Sequence, residues 1–387
     1  MSNSIVRPGS TGHSHGGDDI PLQTRSERLR SIEPSDHAAI DGRDEQWRYL
    51  DSNRLGGLDL ETLVNRSQDL KVVAPAGFTS SMVDASDASF GTAGLPEDLP
   101  TANAWAAATQ ALKLTLDGEA TEPAFINANN LENSSAAHVI IQSKTHARGT
   151  VVIDHTGTGR LAEIIEIIVG DESALTVVSI QDWDDDAVHT SAQFARIGRN
   201  AKLKHVVISL GGKTVRVTPT AEFTAPGSEV ELLGLYFADA GQHLEHRSYV
   251  DHAVANCKSR VTYKGALQGK GAHTVWVGDV LIRKAAEGTD TYELNRNLLL
   301  TDGARADSVP NLEIETGEIE GAGHASASGR FDDEQLFYLQ ARGIEELDAR
   351  RLVVRGFLNE IIQQIGVDSI EERLNASIEL ELTRSNH

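Results

Sequence analysis

The chain holds a single cysteine, Cys257, among 387 residues, which excludes an intrachain disulfide and any cage of thiolates built by this chain alone. A cluster held by four cysteines therefore needs other chains. Basic residues are also few: 35 Lys and Arg stand against 57 Asp and Glu, a formal net charge of −22. That balance opposes a sequence-independent grip on nucleic-acid phosphates. No apolar run reaches the roughly 18 residues of a membrane-spanning helix, and Met1-Ser2-Asn3-Ser4-Ile5-Val6-Arg7-Pro8 has no apolar signal core. A soluble, unexported, cytoplasmic protein without membrane or nucleic-acid partners is expected. Aromatic residues make up only 5% while glycines number 34, which suits many short strands turned by glycine more than a large aromatic-lined pocket.

Five segments follow from composition and period. Residues 1–25 are Ser/Gly/His-rich and cannot repay the entropy of ordering; His13 and His15 there belong to a mobile tail rather than a metal site. Residues 26–74 read as a polar helical region that contains Glu45-Gln46-Trp47-Arg48-Tyr49. Residues 75–118 read as an Ala/Ser/Gly/Asp/Pro-rich linker and a short helix from Ala102 to Leu112, capped by Thr101.

Residues 119–318 carry apolar runs of strand length, such as Val151-Val152-Ile153 and Ile164-Ile165-Glu166-Ile167-Ile168-Val169, punctuated by Gly, Asn and Asp with no long helix between them. A parallel α/β sheet would need those helices. Gly170, Gly198 and Gly227 each precede a strand, at separations of 28 and 29 residues, a period typical of solenoids. The pattern alone leaves a β-sandwich or jelly roll open. In residues 319–387 the period turns helical. One helix, capped by Asp332 or Asp333 and stopped by Gly343, carries Leu336, Phe337 and Leu339. A second places Ala349, Leu352, Val353, Gly356, Phe357 and Ile361 on one stripe, and a third begins at Asp368 with Glu371 as in a capping box.

Asn295-Arg296-Asn297-Leu298-Leu299-Leu300, Pro310-Asn311-Leu312-Glu313-Ile314, Gly323-His324 and Asp332-Asp333-Glu334-Gln335-Leu336-Phe337-Tyr338 follow one another in an order that resembles the SufD branch of the SufB/SufD family of iron–sulfur cluster assembly proteins. Gln242-His243, His252 and Tyr263-Lys264-Gly265 are similar to core words of the same family, as is the Trp47 word, so the resemblance covers roughly residues 44 to 365. It implies a right-handed parallel β-helix core flanked by N-terminal and C-terminal helical regions. It also implies a non-catalytic scaffold that pairs with a SufB-like subunit and docks a SufC-like ATPase through its C-terminal helices, with Phe337, Leu352 and Phe357 as contact residues. A homodimer in isolation stays open. A transient iron–sulfur cluster would be shared with the partner, with none bound by this chain alone.

SufB-like chains resemble Leu-Phe-Tyr-Cys where this one has Leu339 in the fourth place, and SufD-like chains carry a cysteine where this one has Ala322. His324 is thus the remaining candidate ligand, since neutral imidazole suits iron and its small neighbours leave the ring accessible. Other features read as structural. His243 and His246, at odd spacing on a strand, point to opposite faces and suit solvated or core-rim roles; Cys257 reads as a small buried hydrophobe. Asp182-Trp183-Asp184-Asp185-Asp186 reads as a solvated turn rather than a calcium loop. Gly211-Gly212-Lys213-Thr214 resembles the end of a phosphate-binding loop but has Val207 where the first glycine belongs, and reads as a hairpin turn. The rival readings are a SufB-type cluster scaffold and a β-helix carbohydrate-binding or carbohydrate-active protein.

Overall fold

The computed structural model describes residues 29–384 apart from Glu61, Phe331 and Asp332. The tail with His13 and His15 and the capping role of Asp332 lie outside the described residues. Three strands open the chain, β1 (Val64–Asn65), β2 (Lys71–Val73) and β3 (Phe78–Asp84), followed by helix α1 (Leu99–Ala107). The solenoid then runs through β4 (Gln110–Leu116), β5 (Ala124–Ser143), β6 (Arg148–Val169), β7 (Ala174–Trp183), β8 (Val188–Ile197), β9 (Lys202–Ser209) and β10 (Thr214–Phe223). It continues with β11 (Glu229–Ala238), β12 (His243–His252), β13 (Lys258–Leu267), β14 (His273–Ile282), β15 (Asp290–Leu299), β16 (Arg305–Ile314) and β17 (Gly321–Arg330). Helices α2 (Asp333–Ala341), α3 (Glu346–Ile362) and α4 (Asp368–Arg384) close it.

The long strands β5 and β6 each span two faces and pair in parallel with their sequence neighbours, β4 with β5, β5 with β6 and β6 with β7; from β7 on, consecutive strands do not pair, and each pairs in parallel with the strand one coil away. The first half of β6 and then β7, β9, β11, β13, β15 and β17 form one ladder, and the second half of β6 with β8, β10, β12, β14 and β16 the other. Inward side chains of both ladders fill a lumen from Leu116 to Ile282. This is the expected parallel β-helix, and Gly170, Gly198 and Gly227 fall on successive coils of one ladder. Both outer faces are covered as well, which is why strands such as Ile164–Val169 read as unbroken apolar runs. α1 and Leu58 cover one ladder, and α3 with α4 cover the other.

The corners before β7, β9, β11, β13 and β15 of the first ladder each hold a left-handed residue: Glu172, Asn200, Gly227, Asn256 and Gly288, with φ between 49° and 82°. The Asn and Gly punctuation serves this need. Gly227 has a second reason to lack a side chain, because a Cβ there would lie 2.1 Å from Asn200 Oδ1.

Several expectations are corrected. Residues 29–74 hold single 3-10 turns (Pro34–Asp36, Glu45–Trp47, Ser52–Leu55 and Ser67–Asp69) and two short strands, not long helices. Pro34, Gly42, Gly56 and Gly57 interrupt any helix, and the Asp44 and Asp51 side chains take the N–H two residues on, which favours isolated turns. The segment read as linker contains β3, which pairs antiparallel with β4. α1 is capped by Asp98, whose carboxylate accepts from Thr101 N, rather than by Thr101. The turn at Gly211–Lys213 joins β9 to β10, which belong to opposite ladders, so it is a solenoid corner and not a hairpin. β17 extends the solenoid past residue 318. On α3 the buried residues are Ala349, Val354, Leu358, Ile361 and Ile362: Ala349 and Ile361 are as expected, while the middle of the stripe lies one position round, at Val354 and Leu358 rather than Val353 and Phe357, where it packs on the sheet and α4. Ile370, Leu374 and Ile378 of α4 are buried.

Candidate functional site

The two ends of the solenoid differ. At the N-terminal end β2 and β3 add antiparallel strands to β5 and β4. At the C-terminal end β16 and β17 are paired, among the described residues, only on their inner sides, to β14 and β15. Their outer edges present unpaired backbone groups, a ready surface for strand pairing, and the lumen opens there.

His324 lies within β17 at this opening. It is exposed, and its register partner on β15 is Glu293. Parallel register neighbours point the same way, and Thr291, Glu293, Asn295 and Asn297 are the buried positions of β15. Ala322, His324, Ser326 and Ser328 therefore continue the lumen wall by one coil. A thiol in place of Ala322 would have shared a face with His324.

Polar groups fill the lumen beneath. Tyr236 Oη donates to Asn297 Oδ1 at 2.7 Å and accepts from Asn295 Nδ2 at 2.9 Å. Asn297 Nδ2 donates to the hydroxyls of Ser308 and Ser328, both at 3.1 Å. Glu293 stands outside this network. It is 1% exposed, and neither carboxylate oxygen meets a donor among the described residues. Gly278 leaves room for it: a Cβ there would lie 2.6 Å from Oε1. Burial, and after it the charge of Asp279, pushes the Glu293 carboxyl up to about 8. Sequence reading missed Glu293; the signal was its inward parity with Asn295 and Asn297 in a strand whose outer positions carry Tyr292 and Arg296.

The other histidines divide as parity required but are not solvated. His243 is buried on the outer face against Glu245, at 3.2 Å, and His273, at 3.1 Å. His246 and His252 are buried in the lumen, bonded to Ser209 at 3.0 Å and Ser259 at 2.9 Å. Cys257 is buried in the core, and burial pushes its thiol up.

A second lumen cluster joins His155, Glu163 and His189, whose ligand atoms lie within 4.8 Å of one another. His155 Nδ1 donates to Ile180 O at 2.8 Å, so its Nε2 faces Glu163 at 3.1 Å. Burial opposes both charges, but each holds the other: His155 is raised and Glu163 lowered from their ordinary values. Trp183 Nε1 donates to His189 Nδ1 at 3.2 Å, which leaves the proton on Nε2. A nitrogen in that state is no metal ligand, and the cluster reads as a closed buried ion pair.

On the C-terminal helices Phe337 is 72% exposed and Leu352 48%. Phe357 instead packs against the solenoid, with Lys264 Nζ 4.7 Å from its ring centroid. Leu339 is half-buried on α2. No described helix is long and apolar enough to cross a membrane.

Residues 125–357 match the family model described as SUF system FeS cluster assembly, SufBD core domain. An iron-sulfur cluster assembly SufBD family protein of Mycobacterium tuberculosis is 52% identical over 357 residues, 89% of this chain and 90% of that protein. One from Mycobacterium leprae is 51% identical over 353 residues, 88% and 90% of the two chains. A second Mycobacterium leprae protein of the same description is 28% identical over 219 residues, 57% of this chain and 25% of its own length.

Proposed function

The chain belongs to the SufBD family of iron–sulfur cluster assembly proteins, and on that premise we propose that it is the SufD-type scaffold subunit, without catalysis of its own. It pairs with a SufB-like chain and docks a SufC-like ATPase in the cytoplasm. The observation that carries this reading is the open C-terminal end of the solenoid. Two unpaired strand edges there flank a lumen mouth with His324 at its rim.

Paired through that end, a SufB-like partner would supply the thiols this chain lacks at Ala322 and Leu339. The nascent cluster is cargo, shared across the joint and passed on. His324 offers it one nitrogen, as ligand or as hydrogen-bond donor. The ATPase docks on the exposed side of α2 and α3, where Phe337 and Leu352 present apolar surface, a pattern that marks a partner face when contiguous. Phe357 supports that face from beneath. The SufB-type reading lacks its thiol, and the carbohydrate reading loses its support to the family assignment.

Three measurements test this. Affinity capture of the chain from its native host, read by mass spectrometry, is expected to recover a SufB-like chain and an ATPase. His324→Ala is expected to leave that complex assembled while iron–sulfur content falls; unchanged cluster yield removes the role of His324. The pair Phe337→Glu and Leu352→Glu is expected to release the ATPase alone, and retained ATPase would place docking elsewhere.

A further inference from the structure

Among the described residues four glutamates are buried in or against the solenoid: Glu163, Glu166, Glu245 and Glu293. Glu163 faces His155, Glu166 takes His138 Nε2 at 2.9 Å with the Gly91 and Ala93 amides, and Glu245 pairs with Arg216. Glu293 has no such partner. Burying a carboxyl group without a donor or cation is costly, so the fourth case calls for a ligand. The one chemistry-bearing side chain stacked on it in register is His324, at the solvent side of the same lumen wall.

We propose that Glu293 and His324 together hold a divalent first-row metal ion, ferrous iron during assembly, at the mouth of the solenoid. The proposal rests on His324 acting as a ligand and adds the second group. Carboxylate and imidazole are donors such ions accept without thiolate. Adjacent strands lie about 4.8 Å apart, while two donors each roughly 2.1 Å from one ion must approach within about 4 Å, a gap that stacked Glu and His side chains can close. The inner donor brings the negative charge. The outer side of the ion faces the open end, where a partner's ligands complete the shell and from which cargo can leave. Asn295 and Asn297, bonded to each other and to Tyr236, leave Glu293 as the free donor of β15.

The test is anaerobic titration of the full chain with Co2+ as the probe, read by its visible ligand-field bands and by equilibrium dialysis. His13→Ala and His15→Ala are built into every variant to silence chelation by the tail. The starting protein is expected to bind one Co2+ saturably. Glu293→Gln, which keeps the shape but removes the carboxylate, and His324→Ala are each expected to weaken it at least about tenfold, the lower bound seen even for supporting groups around a metal. Matching near-UV circular dichroism shows the variants folded. If Glu293→Gln binds as tightly as the starting protein while His324→Ala does not, Glu293 only fills space and the ligand role of His324 survives. If neither change matters, or the starting protein binds no Co2+, the proposal is overturned, and the cluster yield of His324→Ala in cells then decides that residue's role separately.

Discussion

The ring of Trp47 covers the guanidinium of Arg216, whose Cζ lies 4.0 Å from the ring centroid. Arg216 is 1% exposed, pairs with Glu245 and donates to Gln46 O at 3.1 Å. The turn at Glu45–Trp47 is thereby pinned to the outer face of the β8–β10–β12 ladder. Truncating a buried Trp costs roughly 3–5 kcal/mol, of which a desolvated cation–π contact is about 2. Trp47→Ala is expected to lower the urea midpoint strongly and Trp47→Phe, which keeps a ring, by less. Equal losses for the two would show that a ring stacked over Arg216 does not by itself anchor the turn.

Arg216 also predicts an asymmetry. Removing one member of a buried pair costs about 3–5 kcal/mol because the other charge is stranded. Glu245→Gln is therefore expected to destabilise more than the double change Arg216→Met with Glu245→Leu, measured by the same unfolding midpoint. A double change as damaging as the single one would mean that Asp98 and Arg247, which also approach this pair, hold the site without it.

Gly227 and Gly241 share a left-handed backbone, with φ of 82° and 77°, yet differ in surroundings. A Cβ at Gly227 meets Asn200 Oδ1 at 2.1 Å, whereas one at Gly241 meets nothing within 4 Å. Both substitutions to Ala bear the backbone penalty of about 1–2 kcal/mol. Gly227→Ala is expected to lose more, and Asn200→Gly in the same chain is expected to recover the excess. Equal losses would mean the corner yields freely.

Short apolar runs and glycines one coil apart made the solenoid readable, because each coil repeats the same need: inward apolar residues and a left-handed corner. The N-terminal segment was not readable, since its turns are set by what they lie on; Trp47, which packs with Leu50 and Leu55, is held over Arg216 of a ladder far away in sequence. His324 was found through the family's word order, which gives no depth. Its partner Glu293 needed the register, for only the pairing of β15 with β17 brings the two together. The hairpin read at Gly211–Lys213 failed for the same reason, as local turn chemistry cannot say which strand pairs with which.

The C-terminal helices are a wall of the fold and not an appendage. Val354, Leu358, Ile361 and Leu374 cover Val178, Val206, Leu235 and other outer residues of the first ladder, and Arg373 clamps Asp154 through two bonds of 2.6 and 2.8 Å. Deleting residues 332–387 strips that face and leaves an apolar sheet surface, which favours aggregation. The truncated chain is expected to be insoluble or to elute as aggregate in size-exclusion chromatography, while the Phe337→Glu and Leu352→Glu pair stays soluble. A monodisperse truncated core would show that the outer face of the ladder tolerates water.

Acid sensitivity follows from the lumen histidines. Burial drives His189 and His205 down to about 4, and His246 and His252 down to about 3, from an unfolded value of 6.5. Above pH 6.5 both states keep these rings neutral and they add no pH dependence. As pH falls below 6.5 the unfolded chain takes up protons that the folded chain refuses, so stability is lost until the folded values are reached. Glu293 works the other way, since a carboxyl raised to about 8 keeps its proton in the fold while the unfolded chain gives it up down to pH 4.5, but it is one group against four; His155, raised in the fold, changes its contribution only above 6.5 and adds no slope here. Glu163 and Glu245, lowered in the fold, enter only below about pH 4.5. Each refusing histidine contributes up to about 1.4 kcal/mol per pH unit. The unfolding midpoint is therefore expected to fall steadily from pH 6.5 to 4.5. His205→Phe is expected to flatten that slope by close to one histidine's share, because desolvation is the sole cause of the His205 shift. A slope unchanged by His205→Phe would show that the lumen admits water and protons at that coil.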